Sequence, residues 1–68
     1  MMGKFVMCEF LYRVRKENYD NGKYPKKGYV RRVKCNYSTK YCEIIAYNRK
    51  LERKELKDYQ LDFLCTMY

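Results

Sequence analysis

The sequence contains no histidine, which removes the commonest general base and the commonest metal ligand, so most hydrolytic mechanisms lose their usual parts. Its three glycines, at positions 3, 22 and 28, form no phosphate-cradling loop. No Cys-x-x-Cys pair occurs, so the usual zinc-ribbon knuckle is missing. Apolar residues never run together for the roughly 18 positions that a membrane helix needs. The apolar run ahead of Glu9 is too short for a signal peptide, and repeats and low-complexity segments are absent. Ser38 and Thr39 read as turn residues, and Glu9 and Glu43 read as partners of Lys34. No active-site set is left over, and the chain is expected to be non-enzymatic.

What is present fits one small domain over residues 1–68. Apolar residues make up 47% of it, enough for a core, though at this size a staple, a metal or a partner often adds stability. Nine tyrosines supply apolar area with a polar tip. Sixteen Lys and Arg stand against eight Asp and Glu, a net charge of +8 that favours an anionic partner, whether nucleic acid, an acidic protein face or an anionic membrane; the partner expected is a protein, a ribonucleoprotein complex or nucleic acid, and no membrane. Between Arg13 and Lys34 lie nine basic residues and two acidic ones, Glu17 and Asp20, so this stretch alone holds +7. Four cysteines without an export signal point to reduced thiols or metal ligands, and the expected location is the cytoplasm.

The stretch Tyr29-Val30-Arg31-Arg32-Val33-Lys34-Cys35-Asn36 reads as the middle strand of an antiparallel meander. Asn21-Gly22 is a strong signal for a two-residue hairpin turn, where both positions take positive φ, and Ser38-Thr39 centres the next reversal. Pairing about those turns sets Cys8 against Cys35 and Cys35 against Cys42. The next row is Glu9, Lys34 and Glu43, and the row after it is Phe10, Val33 and Ile44. The expected fold is α+β: a three-stranded antiparallel meander over about 5–15, 28–36 and 40–48, one short helix over about 49–59 with Asn48 as N-cap, and a C-terminal strand over 60–67. A helical stripe of Leu56, Tyr59, Phe63 and Met67 competes for the last segment. A helix would expose Leu61 and Cys65, so the strand is preferred.

Two constellations carry chemistry. Cys8, Cys35, Cys42 and Cys65 are candidate Zn2+ ligands, because four thiolates suit a tetrahedral ion that would staple the fold. In the meander Cys8 and Cys42 start about 10 Å apart, two strand spacings, which Zn–S bonds of about 2.3 Å span only with strong twist or a bulge. Buried inert thiols and a disulfide are the alternatives. The second constellation is the basic arm: Arg13, Arg15, Lys16, Lys23, Lys26, Lys27, Arg31 and Arg32 as cationic contacts, with Tyr19 and Tyr24 as aromatic anchors. Cations that contact phosphates, interleaved with rings that stack on bases, also suit single-stranded nucleic acid.

A short chain rich in Lys, Tyr and Asn, with the tail residues Leu51, Glu55-Leu56, Tyr59 and Leu61-Asp62-Phe63-Leu64, resembles small proteins of phages and mobile elements. Within that group its build is similar to the phage-encoded anti-CRISPR proteins, particularly the type II-A inhibitors of Cas9. The resemblance implies a cytoplasmic protein that inhibits a host nuclease complex by stoichiometric binding. Its basic charge implies docking on an acidic protein surface or on bound nucleic acid, obstructing the loading of guide or target. Metal binding by some members would suit the four cysteines. The alternatives are a small nucleic-acid-binding protein using the same arm on phosphates, and an assembly protein whose open sheet edge pairs with a copy of itself.

Overall fold

The computed structural model describes residues 8–33 and 42–67. Its elements are β1 (Glu9–Arg15), α1 (Lys16–Asp20), β2 (Tyr29–Val33), β3 (Cys42–Tyr47), α2 (Arg53–Tyr59) and β4 (Asp62–Met67). The four strands form one antiparallel sheet in the order β2-β3-β1-β4. The three-stranded meander expected over 5–15, 28–36 and 40–48 is therefore corrected. The strand around Arg31 is an edge, and β1 lies inside the sheet between β3 and β4.

The Asn21-Gly22 signal explains the difference. Lys16 to Asp20 wind into a helix, and Gly22, at φ 72°, sits just past its end in the left-handed region. Lys23 N donates to Asn18 O at 2.7 Å and Gly22 N to Tyr19 O at 3.0 Å, the paired bonds that close a helix through a left-handed residue. A dipeptide that suits a hairpin turn serves here as a helix stop. The chain after it runs past β1 and reaches the far side of β3.

The expected pairing of β2 with β3 is found: Val33 pairs with Ile44, Arg32 with Ile45 and Arg31 with Ala46, with Val30 bulged out of the ladder. Its Lys34 and Cys35 rows and the Ser38-Thr39 turn lie outside the described residues. On β1, Phe10 pairs with Tyr47 and Thr66 in place of Val33, and Arg15 pairs with Cys42. This register puts Tyr12 and Val14 on the same face as Ile45 and Tyr47. A shift of one residue in strand parity moves a whole side-chain set across the sheet, so Ile45 and Tyr47 enter the core and the expected row of Phe10, Val33 and Ile44 does not form.

That core consists of Tyr12, Val14, Ile45, Tyr47, Leu51 and Leu61, with Tyr19, Tyr24, Leu56 and Tyr59 packed against it from the helical side. Ala46 and Leu11, on the other face, are buried as well. The expected C-terminal strand forms as β4 from Asp62, two residues later than expected; Leu61, just ahead of it, is buried, and Cys65 within it is exposed. The helix expected over 49–59 begins only at Arg53, with Glu52 as N-cap in place of Asn48. Residues before it are held by other bonds: Leu51 N donates to the Tyr12 hydroxyl at 2.8 Å, and Glu52 N to Glu55 Oε1 at 2.9 Å. Gly28 marks another constraint. At φ 82° it accepts from Asn48 N at 2.9 Å, and a Cβ there would lie 2.9 Å from Asn48 Oδ1.

Candidate binding surface

The binding arm is built on a stack. Tyr19 of α1 and Tyr24 of the following loop lie with ring centroids 4.9 Å apart and planes 9° apart. Arg32 Cζ stands 5.0 Å from the Tyr19 centroid and Lys26 Nζ 3.8 Å from that of Tyr24. Guanidinium, ring, ring and ammonium thus follow one another, each cation on the negative face of a ring. Lys26 also donates to Gly22 O at 2.8 Å. From Tyr24 the aromatic contacts continue through Tyr29 to the buried Tyr47 and Tyr12 and out again to the exposed Phe63, at centroid separations of 5.3, 5.9, 5.8 and 5.4 Å. Burial first, and then the hydrogen bond shared with Tyr19 at 2.9 Å, push Tyr29 up to about 12. Tyr47 and Tyr24 are raised too, chiefly by burial. The two expected anchors are half-buried, and their faces are covered from within the chain.

The cations divide into committed and available ones. Arg31 grips Glu9 with two bonds, at 2.7 and 3.2 Å, and this contact holds the Glu9 carboxyl below its ordinary range. Arg32 Nε lies 2.9 Å from Oε1 of Glu43, which is only 8% exposed, and a carboxylate so placed needs a partner. Arg31 and Arg32 therefore serve the sheet, meeting the carboxylates that Lys34 was expected to meet. Arg15 with Glu17 and Lys16 with Asp20 are long, exposed pairs at 3.9 Å, a type that contributes little. Among the described residues Arg13, Lys23 and Lys27 have no ion-pair partner.

The available cations border three open grooves. Arg13 and Arg15 line one with Leu56, Lys57, Gln60, Leu61 and Asp62. Lys26 and Lys27 border a second with Arg49, Glu55 and Tyr59, and Lys23 a third with Asp58, Tyr59 and Gln60. Lys57 and Arg49 were not anticipated from the sequence. The signal for Lys57 was helical spacing: Lys50, Arg53, Lys54 and Lys57 recur every three or four residues, and all are exposed on or beside α2. Arg49 is a clamp. It bonds Glu55 at 2.8 and 3.0 Å and the Lys27 carbonyl at 2.9 Å. Arg49 first, then the backbone of Glu52, hold Glu55 down to about 2.

The cysteines spread out. The backbone of Cys42 pairs with Arg15, at the far end of β1 from Cys8, about 23 Å away at the strand rise of about 3.3 Å per residue. No single tetrahedral ion reaches both within one chain. Cys8 is half-buried, Cys65 is exposed beside Leu11, and Cys35 lies outside the described residues. Among the described residues no group of three or more His, Cys, Asp or Glu is placed to hold a metal, and no helix is long and apolar enough to cross a membrane. Comparison of the chain with protein-family models, with curated proteins and with solved structures returned no match.

Proposed function

We propose that this chain is a non-enzymatic binding protein that occupies an acidic protein surface stoichiometrically, using Arg13, Arg15, Lys23, Lys26 and Lys27 joined by Lys57. The supporting observation is the closed stack Arg32, Tyr19, Tyr24 and Lys26. Proteins that grip single strands of nucleic acid combine a cationic track with open rings for the bases. Here the Tyr19 and Tyr24 rings are occupied, so these two residues offer no stacking platform and the cations around them offer charge and hydrogen-bond donors. Carboxylates use such donors fully.

In its specific form, taken from the resemblance of build to phage-encoded inhibitors, the acidic surface belongs to a host nuclease complex such as Cas9. Occupying it would obstruct loading of guide or target. The second reading, direct binding to nucleic acid, is favoured by the +7 held between Arg13 and Lys34.

A salt titration separates the readings. Direct phosphate contact gives an affinity for DNA or RNA that falls steeply with ionic strength; the protein-directed reading expects feeble, nonspecific retention. For the specific form, purified protein added to a Cas9 cleavage reaction should stop it at equimolar ratio. Undiminished cleavage at large excess rules that form out. Charge reversal at Lys26 and Lys27 should weaken either activity, and unchanged activity would remove the arm from the account.

A further inference from the structure

At one corner of the sheet β4 begins at Asp62, beside Arg13, while β1 runs on two residues further to Arg15. The end of α2 turns over this corner through Gln60, whose φ of 58° lets the chain reverse, and Leu61 N returns to Leu56 O at 2.9 Å. The result is the groove of Arg13, Arg15, Lys57, Gln60 and Asp62 floored by Leu56 and Leu61. Three cations face one carboxylate. Arg13 has no ion-pair partner among the described residues although Asp62 is its neighbour in the ladder, and Arg15 touches only the exposed Glu17 at 3.9 Å.

We infer that this groove is a docking site for an extended acidic segment of a partner protein, with carboxylates on Arg13, Arg15 and Lys57 and small or apolar side chains over Leu56 and Leu61. This deepens the reading of the chain as a binder of acidic protein surfaces and rests on it. Three features select the occupant. Residues two apart on a strand project from the same face at about 6.6 Å, so Arg13 and Arg15 match alternate carboxylates of an extended peptide. Guanidinium groups take carboxylates in a planar, two-bond fork. Finally, Asp62 and the apolar floor disfavour a phosphate strand, which carries charge at every unit, and suit a peptide in which acid and neutral residues alternate.

The test uses the full chain and a fluorescein-labelled peptide of alternating glutamate and alanine, followed by anisotropy at low salt, with oligothymidylate of equal charge as the competitor. Arg13→Glu and Lys57→Glu should each weaken peptide binding by about fivefold or more, as removal and reversal of an exposed contact allow. Asp62→Asn should tighten it by about two- to threefold, a gain that misfolding cannot imitate. The groove is refuted if peptide affinity ignores these three changes, or if oligothymidylate displaces the peptide at equal concentration. Binding that falls with Lys26→Glu and Lys27→Glu yet ignores the groove variants overturns the groove alone. Absence of salt-sensitive peptide binding by the unaltered chain overturns both the groove and the reading beneath it.

Discussion

The phenol of Tyr47, on β3, donates to the carbonyl oxygen of Pro25 at 2.6 Å, and both residues are buried. Pro25 lies in a loop outside any strand, so its buried carbonyl takes its partner from a core side chain, and the loop that carries Lys23, Lys26 and Lys27 is tied to the sheet at that point. Tyr47→Phe keeps the ring and leaves the Pro25 oxygen unsatisfied. Urea unfolding should show a loss of about 1–3 kcal/mol with the slope unchanged. An unaltered midpoint would mean the bond contributes nothing.

Arg32 and Glu43 make the second prediction. Arg32→Met leaves a nearly buried carboxylate without this partner and should cost about 1–3 kcal/mol, below the full cost of breaking a buried pair because Arg32 is itself partly exposed. Combining it with Glu43→Gln should recover part of that loss in a double-mutant cycle. Affinity for an acidic probe should stay unchanged in both, since this arginine is committed to the sheet.

Acid should weaken the fold through Glu55. Its folded value of about 2 lies below the ordinary 4.5, so its contribution is complete above about 4.5 and is lost as pH falls toward about 2. Glu9, lowered by Arg31, acts in the same direction. Melting temperature followed by circular dichroism should decline over that interval, and the decline should be shallower in Glu55→Gln. Equal slopes would remove the Arg49 clamp as a cause.

Alkali acts through the aromatic ladder. Tyr29 is raised from 10 to about 12, so its neutral form is favoured by folding. That stability is present below 10 and disappears as pH rises through about 12. An ultraviolet absorbance titration of the nine tyrosines should show a late component that shrinks in Tyr29→Phe. Ionisation of all nine in one step near 10 would contradict the buried ladder.

What was legible in the sequence was local. Centring a reversal on Ser38-Thr39 gave the β2–β3 register, because segments so close in the chain leave few ways to pair, and alternation after Tyr59 gave β4. The neighbours of β1 were not legible. Its partners come from β3 and β4, and the only nearby cue, Asn21-Gly22, serves a hairpin turn and a helix end alike since both need a left-handed residue. Five residues, Lys16 to Asp20, are also too few to display a helical period. On the surface, the placement of Lys23, Lys26 and Lys27 in a loop could be read directly. The commitment of Arg31 and Arg32 could not, for it depends on carboxylates at Glu9 and Glu43 delivered by other strands.

The ladder that joins Glu9 to Met67 has a bearing on biosynthesis. A strand flanked by two segments made after it stays without lateral support while the ribosome is still working, and contacts between such distant positions slow folding. Folding is thus expected to complete only after β4 has cleared the exit tunnel. Until then Tyr12 and Val14 depend on chaperones or on speed of translation to avoid sticking to other nascent chains.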